Sequence, residues 1–160
     1  MSFNRLVLLA SAVAFVAGCA TKPAPVSVAE TVARDSRLST LNGLVSKAGL
    51  TSTLGGAGPF TVFAPSNEAF AKVPAKTMDE LASDPAKLKA VLTYHVVPGK
   101  FMAADVKNGN AKTANGAELA LSKAGAYVTV EDAMVQAADI SATNGVVHIV
   151  DSVLIPPVKR

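Results

Sequence analysis

Thr61-Val62-Phe63-Ala64-Pro65-Ser66-Asn67-Glu68-Ala69-Phe70 writes a strand, a stop and a helix start into ten residues. Residues 60–64 carry the β-branched and aromatic side chains of a short strand. Pro65 ends it, because proline cannot donate to a sheet ladder. Ser66 is a helix N-cap, and Glu68 falls in the first turn, where the helix dipole favours an anion. A second stretch, Asn144-Gly145-Val146-Val147-His148-Ile149-Val150-Asp151, places a turn signal before a run of β-branched residues.

Between and around these two stretches the pattern changes once. Residues 28–48 read as helical, with Leu38, Leu41, Leu44, Val45 and Ala48 recurring at steps of three and four. Gly49 suits the left-handed residue after that helix. Thr77-Met78-Asp79-Glu80 matches a capping box, and Asp84-Pro85 reads as an N-cap followed by proline at the first helical position. Leu88, Val91 and Leu92 form the stripe of the helix that follows, and residues 94–97 read as extended up to Pro98-Gly99. Thereafter Asn108-Gly109, Asn115-Gly116 and Asn144-Gly145 punctuate strand-like runs at 118–121, 127–130, 134–140 and 146–155. Helices first and strands later define an α+β domain.

Composition narrows the function. The chain has 160 residues, half of them apolar, with 15 basic and 12 acidic side chains. A net charge of +3 without any basic run disfavours nucleic acid, whose backbone is held by clustered cations. Tryptophan is absent, and beyond residue 18 only Phe60, Phe63, Phe70, Phe101, Tyr94 and Tyr127 are aromatic, too few to serve both a core and a stacking platform.

The search for catalytic chemistry returns little. With two histidines and one cysteine the chain cannot assemble a standard zinc site, so no metal and no cofactor is expected. Gly55-Gly56-Ala57-Gly58 lacks the Lys and Ser/Thr of a phosphate loop and leads into a strand. Ser66 has no glycine elbow, so its cap role accounts for it. Alternation puts His148 on one face with Val146 and Val150, as a core histidine with its hydrogen bonds satisfied. His95 reads the same way. Asp132, Asp139 and Asp151 read as turn or strand-end residues.

The amino terminus reads as an address. Residues 6–17 form an apolar run of 12 residues, short of the ~20 that span a bilayer and right for a secretory signal. Val16-Ala17-Gly18-Cys19 resembles the lipobox of bacterial lipoprotein precursors. That resemblance implies a signal peptide over 1–18, cleavage before Cys19, and acylation of Cys19. Residues 19–27, with Pro23 and Pro25, then form a tether of roughly 25 Å. Ala20, rather than aspartate, follows the cysteine, which resembles outer-membrane sorting if the cell is Gram-negative.

Three segments in order resemble the fasciclin domain family: residues 61–70, Tyr94-His95-Val96-Val97-Pro98-Gly99, and 144–151 continuing through Val153-Leu154-Ile155-Pro156. The resemblance spans 28–157, leaving 158–160 as a tail. It implies a single fasciclin-like domain, a β-wedge of about seven strands with packed helices, no cofactor and no catalysis. It also points to Tyr94 and His95 as candidate partner-binding residues, against which stands a purely structural role for two buried side chains. Animal relatives carry a Glu-Pro-Asp-Ile-Met run; here Ala137-Ala138-Asp139-Ile140-Ser141 keeps only Asp139 and Ile140, which join the candidates. The expected protein is a non-enzymatic, lipid-anchored module of the cell envelope that adheres to an envelope or extracellular protein or a surface polymer. The alternative is a periplasmic carrier of a small ligand or lipid, with an apolar pocket between wedge and helices. A hydrolase using His95 or His148 is the remote third.

Overall fold

The computed structural model describes residues 26–157, so the signal segment, Cys19, most of the tether and the tail 158–160 lie outside the described residues. Ser27 opens α1 (Val28–Arg34) with a reciprocal capping box to Glu30. The long helix expected over 28–48 is divided. Asp35 leaves the helical conformation, and its side chain caps a 3-10 turn over Ser36–Leu38. Then come α2 (Ser39–Lys47) and α3 (Thr51–Leu54). Asp competes with helical hydrogen bonding through its own side chain, which is why the apolar periodicity continues while the helix does not. Gly49 takes the left-handed conformation, φ 69°.

β1 (Phe60–Pro65) precedes α4 (Asn67–Ala71), and the Ser66 hydroxyl caps α4 by accepting from the Ala69 N–H. The capping box expected at Thr77 does not form: α5 (Ala75–Ser83) begins at the previous turn, after Pro74, so Thr77 lies inside the helix. Proline's fixed φ sets that earlier start. Asp84 caps α6 (Pro85–Tyr94) through the N–H groups of Ala86 and Lys87. Tyr94 is therefore helical and not extended, and β2 is limited to Val96–Pro98.

The strands β3 (Gly109–Lys112), β4 (Glu118–Ala124), β5 (Tyr127–Val130), β6 (Ala133–Ala142) and β7 (Gly145–Val150) complete a seven-stranded sheet in the order β2-β1-β7-β6-β5-β4-β3. β1 and β7 run parallel, the other pairs antiparallel. The sheet curls until its two ends meet at one hydrogen bond, Ala114 N–H to the Val96 carbonyl. The result is an α+β near-barrel or wedge. Its inner face gathers Phe63, Val97, Val106, Leu119, Leu121, Val128, Val130 and Val150. On its other face Val62, Ala64, Val147 and Ile149 meet the helices through Val32, Leu38, Leu41, Leu54, Leu88 and Leu92.

Of the three turn signals, Asn115-Gly116 sits in the β3–β4 hairpin. Asn108-Gly109 instead leads into β3, with the Asn108 side chain accepting from the Lys123 N–H. At the third, Thr143-Asn144 forms the tip and Gly145 is already paired with Ala142. Gly145 is required there because a Cβ would run into the Phe60 carbonyl. The Asn144 side chain is a joint: its Oδ1 accepts from Val28 N–H (2.8 Å), and its Nδ2 donates to the carbonyls of Leu54 (2.7 Å) and Gly56 (2.8 Å). Asn67 does the same for the helices, accepting from the Ser39 hydroxyl and Thr40 N–H and donating to the Ser36 carbonyl.

Asn144→Ala removes three hydrogen bonds and strands part-buried backbone groups on α1 and α3. At ~1 kcal/mol for each, urea denaturation should show a loss of about 2–4 kcal/mol. Asn110→Ala, which removes one exposed side-chain contact to Glu118, should lie within about 0.5 kcal/mol of the parent.

Candidate interaction site

Tyr94 ends α6 and is buried, 2% exposed. Its hydroxyl donates toward the Glu118 carbonyl (3.2 Å) and the Glu131 carboxylate (3.3 Å). Burial first, then the Glu131 charge, raises the pKa of Tyr94. The Glu131 carboxylate also accepts from the Ala120 N–H, holding its own residue at the positive φ of the β5–β6 turn.

His95 caps the end of α6 and is also 2% exposed. Its ring sits between two backbone groups: Nδ1 contacts the Val91 carbonyl at 2.7 Å, and Nε2 accepts from the Leu154 N–H at 3.0 Å. A carbonyl only accepts and an N–H only donates, so the proton is on Nδ1. Burial lowers its pKa to about 4, against the pull of the Val91 carbonyl.

His148 repeats the device in the middle of β7, 1% exposed and stacked on Phe63 with ring centroids 5.5 Å apart. Here Nε2 carries the proton and donates to the Phe101 carbonyl (2.7 Å), while Nδ1 accepts from the Asp139 N–H (3.2 Å). Burial lowers its pKa, partly countered by the Phe101 hydrogen bond and the Asp139 charge. Both histidines thus hold backbone to backbone across elements distant in sequence, and every buried side-chain nitrogen and oxygen among the described residues has a partner.

Asp139 and Ile140 lie together on β6, where the pairing with β7 is interrupted by two register shifts. Asp139 is exposed at φ 58°, and its carboxylate accepts from the Ala103 N–H at 2.7 Å. Ile140 is partly buried against the helical core. The four candidates therefore divide. Tyr94 and His95 lie inside, near the crossing of α6 with the barrel, whereas Asp139 and Ile140 form an edge reachable from solvent. Asp132 falls in the β5–β6 turn and Asp151 just after β7, where its carboxylate accepts from Met134 N–H and faces Lys72 Nζ at 3.5 Å. Cys19 lies outside the described residues. The Ser27 cap and the Asn67 and Asn144 joints carry no signal in the sequence beyond turn and cap preferences. Among the described residues no group of three or more His, Cys, Asp or Glu is placed to hold a metal ion. No described helix is long and apolar enough to cross a membrane.

A curled seven-stranded sheet of this order, with helices on one face and histidines tying its strands to neighbouring segments, defines one class of α+β domain. The fasciclin domain profile matches residues 36–156, and the chain belongs to that family. Protein sll1483 of Synechocystis is 42% identical over 146 residues, covering 90% of this chain and 81% of that protein. The cell surface glycolipoprotein MPB83 of Mycobacterium bovis is 36% identical over 149 residues, covering 90% of this chain and 65% of that one. Among solved structures, a domain pair from the insect cell adhesion molecule fasciclin I superposes with a TM-score of 0.65 at 17% identity. It matches over 82% of this chain and 51% of the pair, a likeness of fold.

A histidine whose pKa falls on folding makes the unfolded state the stronger proton binder below pH ~6.5. Stability is then full above about pH 6.5 and is lost as pH falls toward the folded value, about 4 for His95. The lowered carboxylates Asp35 and Asp151 act only below about pH 4, outside that window. Urea midpoints measured from about pH 7.5 to 4.5 should fall steadily, by up to ~1.4 kcal/mol per pH unit for each histidine. A flat profile would contradict the burial of both rings.

Proposed function

We propose that this chain is a non-enzymatic adhesion or protein-interaction module held at the cell envelope by a lipid on Cys19. The observation that carries the non-enzymatic part is the commitment of both histidines to internal backbone partners. Neither ring retains a nitrogen for a substrate. Family membership, with a cell adhesion molecule among the solved structures of like fold, supports a role in contact. The lipobox-like run ending at Cys19 and the glycolipoprotein relative support the anchor, with signal peptide 1–18, tether 19–27, folded unit 28–157 and tail 158–160. If the envelope is Gram-negative, Ala20 favours the outer membrane.

In this reading the partner, an envelope or extracellular protein or a surface polymer, meets the Asp139–Ile140 edge. Tyr94 and His95 act from the interior, Tyr94 by fixing α6 to β4 and the β5–β6 turn and His95 by fixing it to the C-terminal segment at Leu154. Deletion should reduce adhesion of intact cells, and the wild-type gene should restore it. Asp139→Ala with Ile140→Ser should restore surface protein but not adhesion. Labelled palmitate should enter the wild-type protein and not Cys19→Ser, which should be released from membranes. Unchanged adhesion on deletion, or an unmodified thiol at Cys19 by mass spectrometry of the native protein, would refute the corresponding part.

A further inference from the structure

The loop between β2 and β3, residues 99–108, crosses the mouth of the barrel and is held by polar side chains from three adjacent strands. From β1, the Thr61 hydroxyl donates to the Gly99 carbonyl (2.7 Å) and accepts from the Phe101 N–H (2.8 Å). From β7, His148 Nε2 donates to the Phe101 carbonyl; from β6, the Asp139 carboxylate accepts from Ala103 N–H. The last two anchors are coupled, because His148 Nδ1 accepts from the backbone N–H of Asp139 itself. One imidazole therefore ties the loop to β7 on one side and fixes the left-handed residue of β6 on the other.

We propose that His148 is the positioning residue of the Asp139–Ile140 edge and a proton-operated latch on the loop it holds. Neutral, the ring needs the Asp139 N–H as donor to Nδ1. When a solvent proton binds Nδ1, that hydrogen bond is lost and two N–H groups face each other. The nearest acceptor of charge is the Asp139 carboxylate. It turns to the Nδ1–H, releases the Ala103 N–H, and the loop loosens at 102–104, while Phe101 stays held. Thr61 and the buried Val106 continue to hold the loop's two ends.

The other faces of the ring offer no competing charge. β1 presents Phe63 and Thr61, and β2 presents Val96, Val97 and Pro98. In the loop Lys100, Asp105 and Lys107 are exposed to solvent, and Lys123 of β4 directs its ammonium to the Ala104 carbonyl. Asp139 is the charged group whose field reaches His148. Burial keeps the latch closed at neutral pH and places its opening below about pH 6.5. This regulation of the edge rests on the proposed partner surface, whereas the latch itself does not.

Nuclear magnetic resonance of the full chain, titrated downward from about pH 7.5 with circular dichroism as a check on folding, tests it. The amides of Asp139 and Ala103 should shift with a single midpoint shared with the His148 ring. As pH falls toward that midpoint, exchange protection of the Ala103 amide should drop by up to about tenfold per pH unit, and it should level off below the midpoint. The Leu154 amide, held by His95, should follow a separate and lower titration. Asp139→Asn, which keeps an acceptor for Ala103 but removes the charge, should lower the His148 midpoint. Titration of His148 with no response at Ala103 and Asp139, a midpoint unmoved in Asp139→Asn, or global unfolding before His148 titrates would overturn the latch. Cell adhesion compared at about pH 7.5 and 5 separates the two readings. An amide response with adhesion unaffected by Asp139→Ala and Ile140→Ser retains the latch and removes only the partner surface.

Discussion

β7 is buried at all six of its positions, with the helices against one face and the barrel interior against the other. That double burial is the constraint on which the rest depends. Four of its side chains, Val146, Val147, Ile149 and Val150, are apolar and fully enclosed, each contributing ~1.5–3 kcal/mol. The fifth, His148, brings two polar nitrogens into a place without water. An unpaired one would cost ~1–3 kcal/mol, so both must find protein partners. The partners available are backbone groups of the neighbouring strand and the covering loop. Burial of one strand thus dictates the position of a neighbouring strand and of the loop that covers it. The same logic extends to its ends: Asn144 joins the strand's entry to α1 and α3, and Asp151 joins its exit to β6 and Lys72.

The local signals that proved legible were those with a short-range cause. The strand at 60–64 (which the structure extends by one residue to Pro65), the Ser66 cap, the Asp84-Pro85 helix start, the β5 strand at 127–130 and the packing of Phe63, Phe70, Val147 and Ile149 all follow from propensity, capping and alternation. Errors arose where a competing local signal or burial in the fold overrode the pattern. Apolar periodicity across 28–48 records which side chains face the sheet, and it is blind to the break at Asp35. The pattern Thr-x-x-Glu at 77–80 is a real capping sequence made irrelevant by Pro74 upstream. Tyr94 has strand propensity but sits at the end of a helix whose burial outweighs it.

The candidate site was legible in part, for a related reason. Alternation along β7 anticipated that His148 lies inside with its hydrogen bonds met, and the same was expected of His95. What alternation could not supply was the identity of the partners: Leu154 for one, Asp139 and Phe101 for the other, residues 9 to 59 positions away. Asp139 reads from the sequence as a turn or strand-end residue and instead lies within β6, at a double irregularity with no local sequence signature. Its reach to Ala103 emerges only once β6 and the 99–108 loop are brought together.

The carbonyl of Val26 accepts from the N–H of Thr143, so the chain is fastened to the β6–β7 hairpin before α1 begins. A tensile load arriving from the residues ahead of Val26 meets that bond first and then the Asn144 clamp on Val28. Behind them α1 is held by Val28, Ala29 and Val32, which are buried in the core shared by the helices and the sheet. The two fastenings lie in series on one hairpin, so a pull from the N-terminal side is met at the β6–β7 tip before it reaches the sheet.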